Sequence, residues 1–584
     1  MPVLRTDDQR FLLDGTPFRI LSGGLHYFRV HPAQWADRLG KARAMGLNTV
    51  ETYVPWNLHQ PRPGDGLLME GQLDLPRFLE LAAEESLHVL LRPGPFICAE
   101  LDGGGLPSWL LAHEDIRLRS TDPLFLGAVD EYFDLLLPVV APYLGTRGGP
   151  IIAVQLENEY GAYGDDTDYL RHLADTMTGH LDGVPLFTCD QPQDLARGGL
   201  PGVLRTVNFG SRVGAGLAAL RDVQPTGPLM CTEFWNGWFD RWGGVHVVRD
   251  AEPAAEALDE LLAADASVNF YMLHGGTNFG FTNGANDKHT YHPTVTSYDY
   301  DAPLDEAGDP TGKFHAFRDI ISRYAPVPAT PVPPPSKKIC HLGIELVEAA
   351  PLFGHLDTLG TAVGAERPHT MEELGQDFGF VLYETALATS GSALLEVEAV
   401  RDRAQVFLDG QPVGVLERER HEHALAFHVP RPGAVLRILV ENQGRVNYGP
   451  AIHDRKGLIG PVTLNGTRLT GWTSRPLPLT SLDALPFTVL TAPSTGPTFR
   501  RGTVDIEEPA DTFLDTTRWT KGNAWINGFA LGRYWSRGPQ RSLYVPSPVL
   551  RAGRNEIVLL ELHAVPRLAT IDLRDVASLG PEEE

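Results

Sequence analysis

At 584 residues, with 42% hydrophobic and 21% charged side chains, the chain has ordinary globular composition. That excludes a disordered polymer and leaves room for about four domains, or for one large barrel with smaller partners. Lys and Arg number 49 against 74 Asp and Glu, a formal net charge of −25; with no basic patch to interrupt it, nucleic acid and anionic membranes are poor partners. No uninterrupted apolar run is long enough to span a bilayer. The first fifteen residues carry Arg5, Asp7, Asp8 and Arg10 rather than the apolar core of a signal peptide, so a cytoplasmic protein is expected. Cys98, Cys189, Cys231 and Cys340 form no C-x-x-C pair and read as reduced thiols.

In chain order, short β-rich apolar runs alternate with amphipathic stretches. The predicted strands are Phe18 to Leu21, Asn48 to Val54, His88 to Arg92, Ile151 to Leu156, Leu186 to Cys189, Thr206 to Phe209, Leu229 to Phe234 and Val268 to Leu273. Helices are predicted at Ala33 to Met45, Leu75 to Glu85, Pro123 to Val140, Thr167 to Leu181 and Pro253 to Ala264, where apolar residues recur at three-to-four spacing. Alternating strands and helices imply a parallel sheet, and eight strands within residues 1–325 imply a closed (β/α)8 barrel.

Six prolines between Pro326 and Pro335 block both helix and central strand, which marks 326–337 as a stiff linker. Downstream the pattern is all-β, with strands predicted at Leu394 to Val400, Ala404 to Leu408 and Leu436 to Val440 and a hairpin turn at Asp409-Gly410. Ala404 to Gly414 resembles Asn523 to Gly532, and Pro430 to Asn442 resembles Leu550 to Leu562, at offsets of 118 and 120 positions. Two copies of one β-sandwich, 338–475 and 476–584, are therefore expected. Their expected role is to buttress the barrel and shape its mouth, with sugar binding left open as the alternative.

A barrel places its active site at the carboxyl ends of its strands. There the second strand ends in ETYVPWN, the third in RPGPFICAE, the fourth in QLENEYG, the seventh in CTEFWNGW and the eighth in HGGTNFG. This inventory of carboxylates, Asn, Tyr and Trp lacks a phosphate loop, a G-x-S-x-G nucleophile and a histidine metal shell. No metal and no cofactor is expected; His421-Glu422-His423 lacks the H-E-x-x-H spacing of a zinc helix. Carboxylates among aromatic platforms suit a neutral sugar, whose C–H face covers an indole while its hydroxyls meet Asn, Glu and Tyr. Glycoside hydrolysis with retention needs two carboxylates about 5–5.5 Å apart, and Glu159 and Glu233 at the ends of the fourth and seventh strands are the candidates. Glu233 is assigned as nucleophile and Glu159 as acid and base. Strand alternation puts Glu157 on the same side as Glu159, which makes it the alternative donor or else a supporting partner, and turns Asn158 away, so Asn158 reaches the pocket only if the strand end departs from regular geometry.

These residues lie in a series of stretches, SGGLHYFRV, NTVETYVPWNLHQP, RPGPFICAE, GGPIIAVQLENEYG, CTEFWNGWFDRWG, MLHGGTNFGFTNGAN and SYDYDAPLDEAG, that resemble glycoside hydrolase family 35, the retaining exo-β-galactosidases. The resemblance implies Glu159 as proton donor, Glu233 as nucleophile and Asn158 as the asparagine that holds the sugar 2-hydroxyl. It implies Tyr53, Ala99, Glu100 and Tyr300 as partners of the galactosyl hydroxyls, with Ile97 and Cys98 lining the same pocket. Trp235 and Trp238 are candidate pocket walls. The expected substrate is a galactoside, small or oligosaccharide. Two alternatives stay open: the same machinery with another glycon such as β-glucosaminide, and a carbohydrate-binding barrel without turnover. A homo-oligomer is compatible with the sequence, which leaves oligomeric state, linkage preference and natural substrate undetermined.

Overall fold

The computed structural model describes residues 2–329 and 331–582. Eight strands, β1 (Leu21–Leu25), β2 (Thr49–Tyr53), β3 (His88–Arg92), β4 (Ile151–Gln155), β5 (Leu186–Asp190), β6 (Leu204–Phe209), β7 (Met230–Trp235) and β8 (Ser267–His274), close into one barrel, with β8 pairing back to β1. All pairings are parallel. Covered by helices outside and side chains inside, such strands are buried on both faces; every residue of β1, β2, β4 and β8 is buried.

The outer ring includes α1 (Trp35–Met45), α2 (Leu75–Glu84), α3 (Pro123–Val140), α4 (Thr167–Thr178), α5 (Val213–Val223), α6 (Ala251–Ala263) and α7 (Gly312–Ile321). Local chemistry sets their starts. The carboxylates of Asp74, Asp122 and Asp166 accept the otherwise unpaired amides of Arg77 at 3.0 Å, Leu124 at 2.9 Å and Tyr169 at 3.0 Å. Prolines follow the first two caps within the opening turn, where no backbone donor is needed.

The sequence pattern misplaces the first strand. Thr16–Phe18, which holds the expected start at Phe18, pairs antiparallel with Phe11–Leu13 in a small three-stranded sheet, and β1 begins three residues later. Gly23 and Gly24 disguise β1 as a turn. Their reason is close packing: a Cβ on Gly23 would lie 2.7 Å from Leu273 Cβ. Helices α5 and α7 escape the pattern too. Gly214 and Gly216 lower the helical signal of α5, and Gly216 lets the helix settle on Phe209, whose Cδ1 would stand 2.4 Å from an added Cβ.

Downstream lie two β-sandwich modules. In the first, β11 (Phe380–Leu387), β12 (Arg403–Leu408), β13 (Gln411–Glu417) and β14 (Ala434–Glu441) lie in the order β11-β14-β12-β13. In the second, β15 (Thr498–Ile506), β16 (Lys521–Ile526), β17 (Phe529–Trp535) and β18 (Gly553–Glu561) lie in the order β15-β18-β16-β17. The orders are equivalent. Both hairpins turn on a residue pair with positive φ, Asp409 (45°) and Gly410 (82°) in one, Asn527 (51°) and Gly528 (81°) in the other, the conformation a two-residue hairpin demands. The numbers β9 and β10 belong to a hairpin over the barrel mouth, Ala285–Asp287 and Tyr291–Pro293.

Sheet pairing redraws one expected boundary. His341–Glu345 pairs with Thr570–Arg574, and Glu348–Pro351 pairs with β15. The opening of the expected 338–475 module thus belongs to the sheets of the second module. Strand partners so distant in sequence leave no local signature, which is why composition alone set the boundary wrongly.

Candidate active site

The fourth strand loses regular geometry where the chemistry begins. β4 ends at Gln155, and Glu157 (φ +57°) and Glu159 (φ +44°) both take the left-handed conformation, which strand residues seldom adopt. This departure overturns simple alternation. Glu157 turns away from the cavity and is gripped by Arg119, with Nε 3.0 Å and Nη2 2.7 Å from its two oxygens, while the Tyr169 hydroxyl donates at 2.8 Å. Asn158 turns inward instead. Its Oδ1 accepts from Arg92 Nη2 at 2.6 Å and Gln155 Nε2 at 3.0 Å and lies 3.2 Å from the Tyr53 hydroxyl. The amide NH2 is the group left to meet a ligand.

Glu233, on β7, sits among donors. Its Oε1 accepts from the Arg92 guanidinium at 2.5 Å and the Tyr53 hydroxyl at 2.9 Å, and Oε2 accepts from Trp235 Nε1 at 3.1 Å. Arg92 is fully buried and its guanidinium lies 4.0 Å over the Tyr53 ring, so it cannot swing off to water. A carboxylate held by a guanidinium and two further donors is matched as an anion. Glu159 lies in a different environment. Its Oε1 has only amide donors, Asn208 Nδ2 at 3.2 Å and Gln191 Nε2 at 3.4 Å. Burial, and after it the negative charge of Glu233, pushes its carboxyl up to about 8.

The loop after β3 supplies the next wall. Cys98, Ala99 and Glu100 all have positive φ, 56°, 56° and 49°. Each left-handed non-glycine residue costs roughly 1–2 kcal/mol, so neighbours must impose the shape. Arg29 donates to the Ala99 carbonyl, and the Gly284 amide donates to the Glu100 carbonyl at 2.7 Å. Glu100 Oε2 accepts from the Tyr298 hydroxyl and Oε1 from Asn447 Nδ2 at 3.4 Å. Burial pushes Glu100 up to about 7, against the pull of Tyr298 and Arg29.

Around these groups lies one cavity of about 340 Å³, within the range that takes a small molecule. Of the residues expected from sequence, it brings together Tyr53, Cys98, Ala99, Glu100, Asn158, Glu159, Glu233, Trp235, Trp238 and Tyr300. Ile97 is not among the lining residues: it is fully buried, with its side chain against Gly105. Trp235 and Trp238 meet edge to face at 5.8 Å, and Trp238 stacks on Phe239 at 5.0 Å. The cavity also includes Gln191, Phe239, Arg241, Tyr271, Asn286, Lys288, His292 and Tyr448, which sequence reasoning missed. Gln191 and Tyr271 lie just past the end of β5 and inside β8, where an inventory of all eight strands finds them. Tyr448 lies downstream of β14, in the first β-module; its hydroxyl accepts from Gln191 Nε2 at 3.1 Å, and no local signal points to it.

Among the described residues no group of three or more His, Cys, Asp or Glu is placed to hold a metal ion, and no helix is long and apolar enough to cross a membrane. The arrangement can protonate a leaving group with one carboxyl and attack with another, across a pocket of aromatic and hydroxyl-binding groups.

Comparison with known proteins agrees with this chemistry. The family described as "Glycosyl hydrolases family 35" matches residues 10–324, followed by "Beta-galactosidase, first all-beta domain" over 368–478 and "Beta-galactosidase, galactose-binding domain" over 497–555. The "Beta-galactosidase-1-like protein" of Mus musculus is 44% identical over 98% of this chain and 91% of its own length. The "Beta-galactosidase" of Xanthomonas manihotis is 44% identical over 93% of this chain and 91% of that protein, and the Homo sapiens "Beta-galactosidase" 44% over 95% and 86%. The chain belongs to glycoside hydrolase family 35.

Proposed function

We infer that this enzyme is a retaining exo-β-galactosidase, removing terminal non-reducing β-D-galactose by double displacement. The observation that carries this reading is the pair Glu159 and Glu233 in one cavity, one carboxyl kept protonated by burial and the other matched by Arg92. Named β-galactosidases at 44% identity over most of the chain support the glycon.

Glu233 attacks the anomeric carbon as the glycosidic C–O bond breaks, and the Glu159 proton passes to the departing oxygen. In this reading the Asn158 amide holds the 2-hydroxyl, and Tyr53, Ala99, Glu100 and Tyr300 hold the remaining hydroxyls. The glycosyl ester removes the charge of Glu233, which is the second cause of the raised Glu159 pKa. The Glu159 pKa therefore falls, so after giving up its proton Glu159 stays ionised and serves as the base: it takes a proton from water, and the water oxygen displaces Glu233 from the same carbon. Two inversions give retention.

The test is turnover of a chromogenic β-galactoside by the wild type, Glu233→Gln and Glu159→Gln. Both variants should lose at least about a thousandfold in kcat, the scale of a missing nucleophile or acid. Added azide should restore part of the Glu159→Gln rate only, since azide needs no general base. An inactive wild type, or near-normal turnover by Glu233→Gln, overturns the assignment.

A further inference from the structure

The cavity is electrostatically two-ended. Its three lining carboxylates, Glu100, Glu159 and Glu233, are 7%, 7% and 5% exposed and form the deep end. The outer wall holds Trp238, 40% exposed, with Arg241, Lys288 and His292. Cations at this mouth are unexpected in a chain with net charge −25.

The hairpin β9–β10 explains how they come to face the ligand. Asn286 pairs with His292 and Asp287 with Tyr291. Strand alternation puts Asn286, His292 and, beyond the pairing, Lys288 toward the cavity. The opposite face is fixed to the first β-module: Asp287 pairs with Arg418 at 3.1 Å, and the Tyr291 hydroxyl donates to Asp402 Oδ2 at 3.0 Å. The hairpin is thus anchored behind by an ion pair and a hydrogen bond and presents its other face to the substrate. Arg241 reaches the same place, with Nη1 2.8 Å from His292 Nδ1. Among the described residues neither Arg241 nor Lys288 has a carboxylate within salt-bridge distance. Of the acidic neighbours of His292, Glu419 lies 3.6 Å away and is paired with Arg537, and Asp287 is paired with Arg418.

We propose that this outer wall is a leaving-group subsite for an aglycone sugar bearing an anionic substituent, a carboxylate or a sulfate ester, which Arg241 and Lys288 receive while the sugar ring lies against Trp238. The proposal rests on the galactosidase reading and adds a substrate class to it. A galactosyl unit occupies the deep carboxylate end, so an acid group there would meet Glu233; one residue outward it meets two cations that, among the described residues, no carboxylate neutralises.

The experiment compares kcat/KM for β-galactosyl glucose, its sulfate ester on the glucose unit, and β-galactosyl glucuronate, with wild type, Arg241→Gln/Lys288→Gln and Lys288→Glu. In the wild type at low ionic strength the anionic substrates should be favoured by about three- to tenfold, the scale of two exposed ion pairs. That preference should shrink in high salt. The double variant should bring the ratio close to one, and Lys288→Glu should lower it. Because each ratio is internal to one enzyme, a general loss of activity or folded protein cancels. Preference for one anion alone supports the proposal and fixes the group. No preference in the wild type, or a preference that survives the double substitution, overturns it while leaving the galactosidase reading intact; failure to cleave any of the three together with a chromogenic β-galactoside overturns both.

Discussion

The two β-modules share a strand order and a hairpin turn, yet they serve the active site differently. In the first, the chain leaving β14 runs into the barrel: Arg445 joins Asp102, Asn447 meets Glu100 and Tyr448 lines the cavity. In the second, the chain leaving β18 runs beside the first module rather than into the cavity: the Leu562 amide donates to the Lys521 carbonyl of its own sheet, and the Leu562 carbonyl accepts from Gln405 Nε2 at 2.9 Å. The second module touches the barrel elsewhere, through Gln34 with Tyr544 and Phe279 with Phe529, and among the described residues contributes nothing to the cavity wall. The same scaffold is therefore a buttress in one copy and part of the active site in the other, and the difference lies in a single loop.

Substitutions can break or sharpen this contrast. Arg445→Met should have the largest effect on stability. The side chain is 1% exposed and bridges buried Asp102 and Glu372 at 2.9 and 2.6 Å. Leaving both carboxylates unpaired should cost about 3–5 kcal/mol, read as a lowered denaturation midpoint, with a raised KM because Asp102 ends the strained loop bearing Glu100.

The pH profile gives the next test. Glu159 must be protonated for the first step, so kcat/KM should fall about tenfold per unit as pH rises through its pKa, with the break at about 8. Tyr448→Ala opens the wall beside Gln191 and Glu159 to water. Weaker burial lowers the Glu159 pKa, so the basic limb should move down by about half a unit or more. A basic limb that stays in place shows that the first module does not shape the acid's environment. Tyr448→Phe removes only the hydroxyl contact to Gln191 and should reduce kcat/KM by about two- to fivefold. The smallest effect on activity belongs to the second module: Tyr544→Phe should cost about 1 kcal/mol of stability through the 2.9 Å contact with Gln34, without moving KM. A shift in KM there erases the distinction between the modules.

The barrel was legible because buried parallel strands are short apolar runs and amphipathic helices repeat every three to four residues. β3 and α3 match their predicted limits. Glycine hid β1 and α5, since packing rather than propensity governs those segments. Glu159 and Glu233 were legible as strand-end carboxylates within recognisable stretches. The inward turn of Asn158 was legible only as a requirement, and the outward turn of Glu157 was not, because it depends on left-handed backbone that Arg119 and Tyr169 stabilise from afar. Lys288 and Tyr448 carry no strand-end position, so nothing local marks them as cavity residues, and Arg241, though within CTEFWNGWFDRWG, lies past the end of β7.

Arg445, Asn447 and Tyr448 lie more than a hundred residues beyond the last barrel strand. A growing polypeptide can complete its eight-stranded unit and still lack a finished pocket. Activity must then await docking of the later module, which makes the loop beyond β14 a checkpoint on assembly. An isolated barrel released by truncation would possess both glutamates and an open flank.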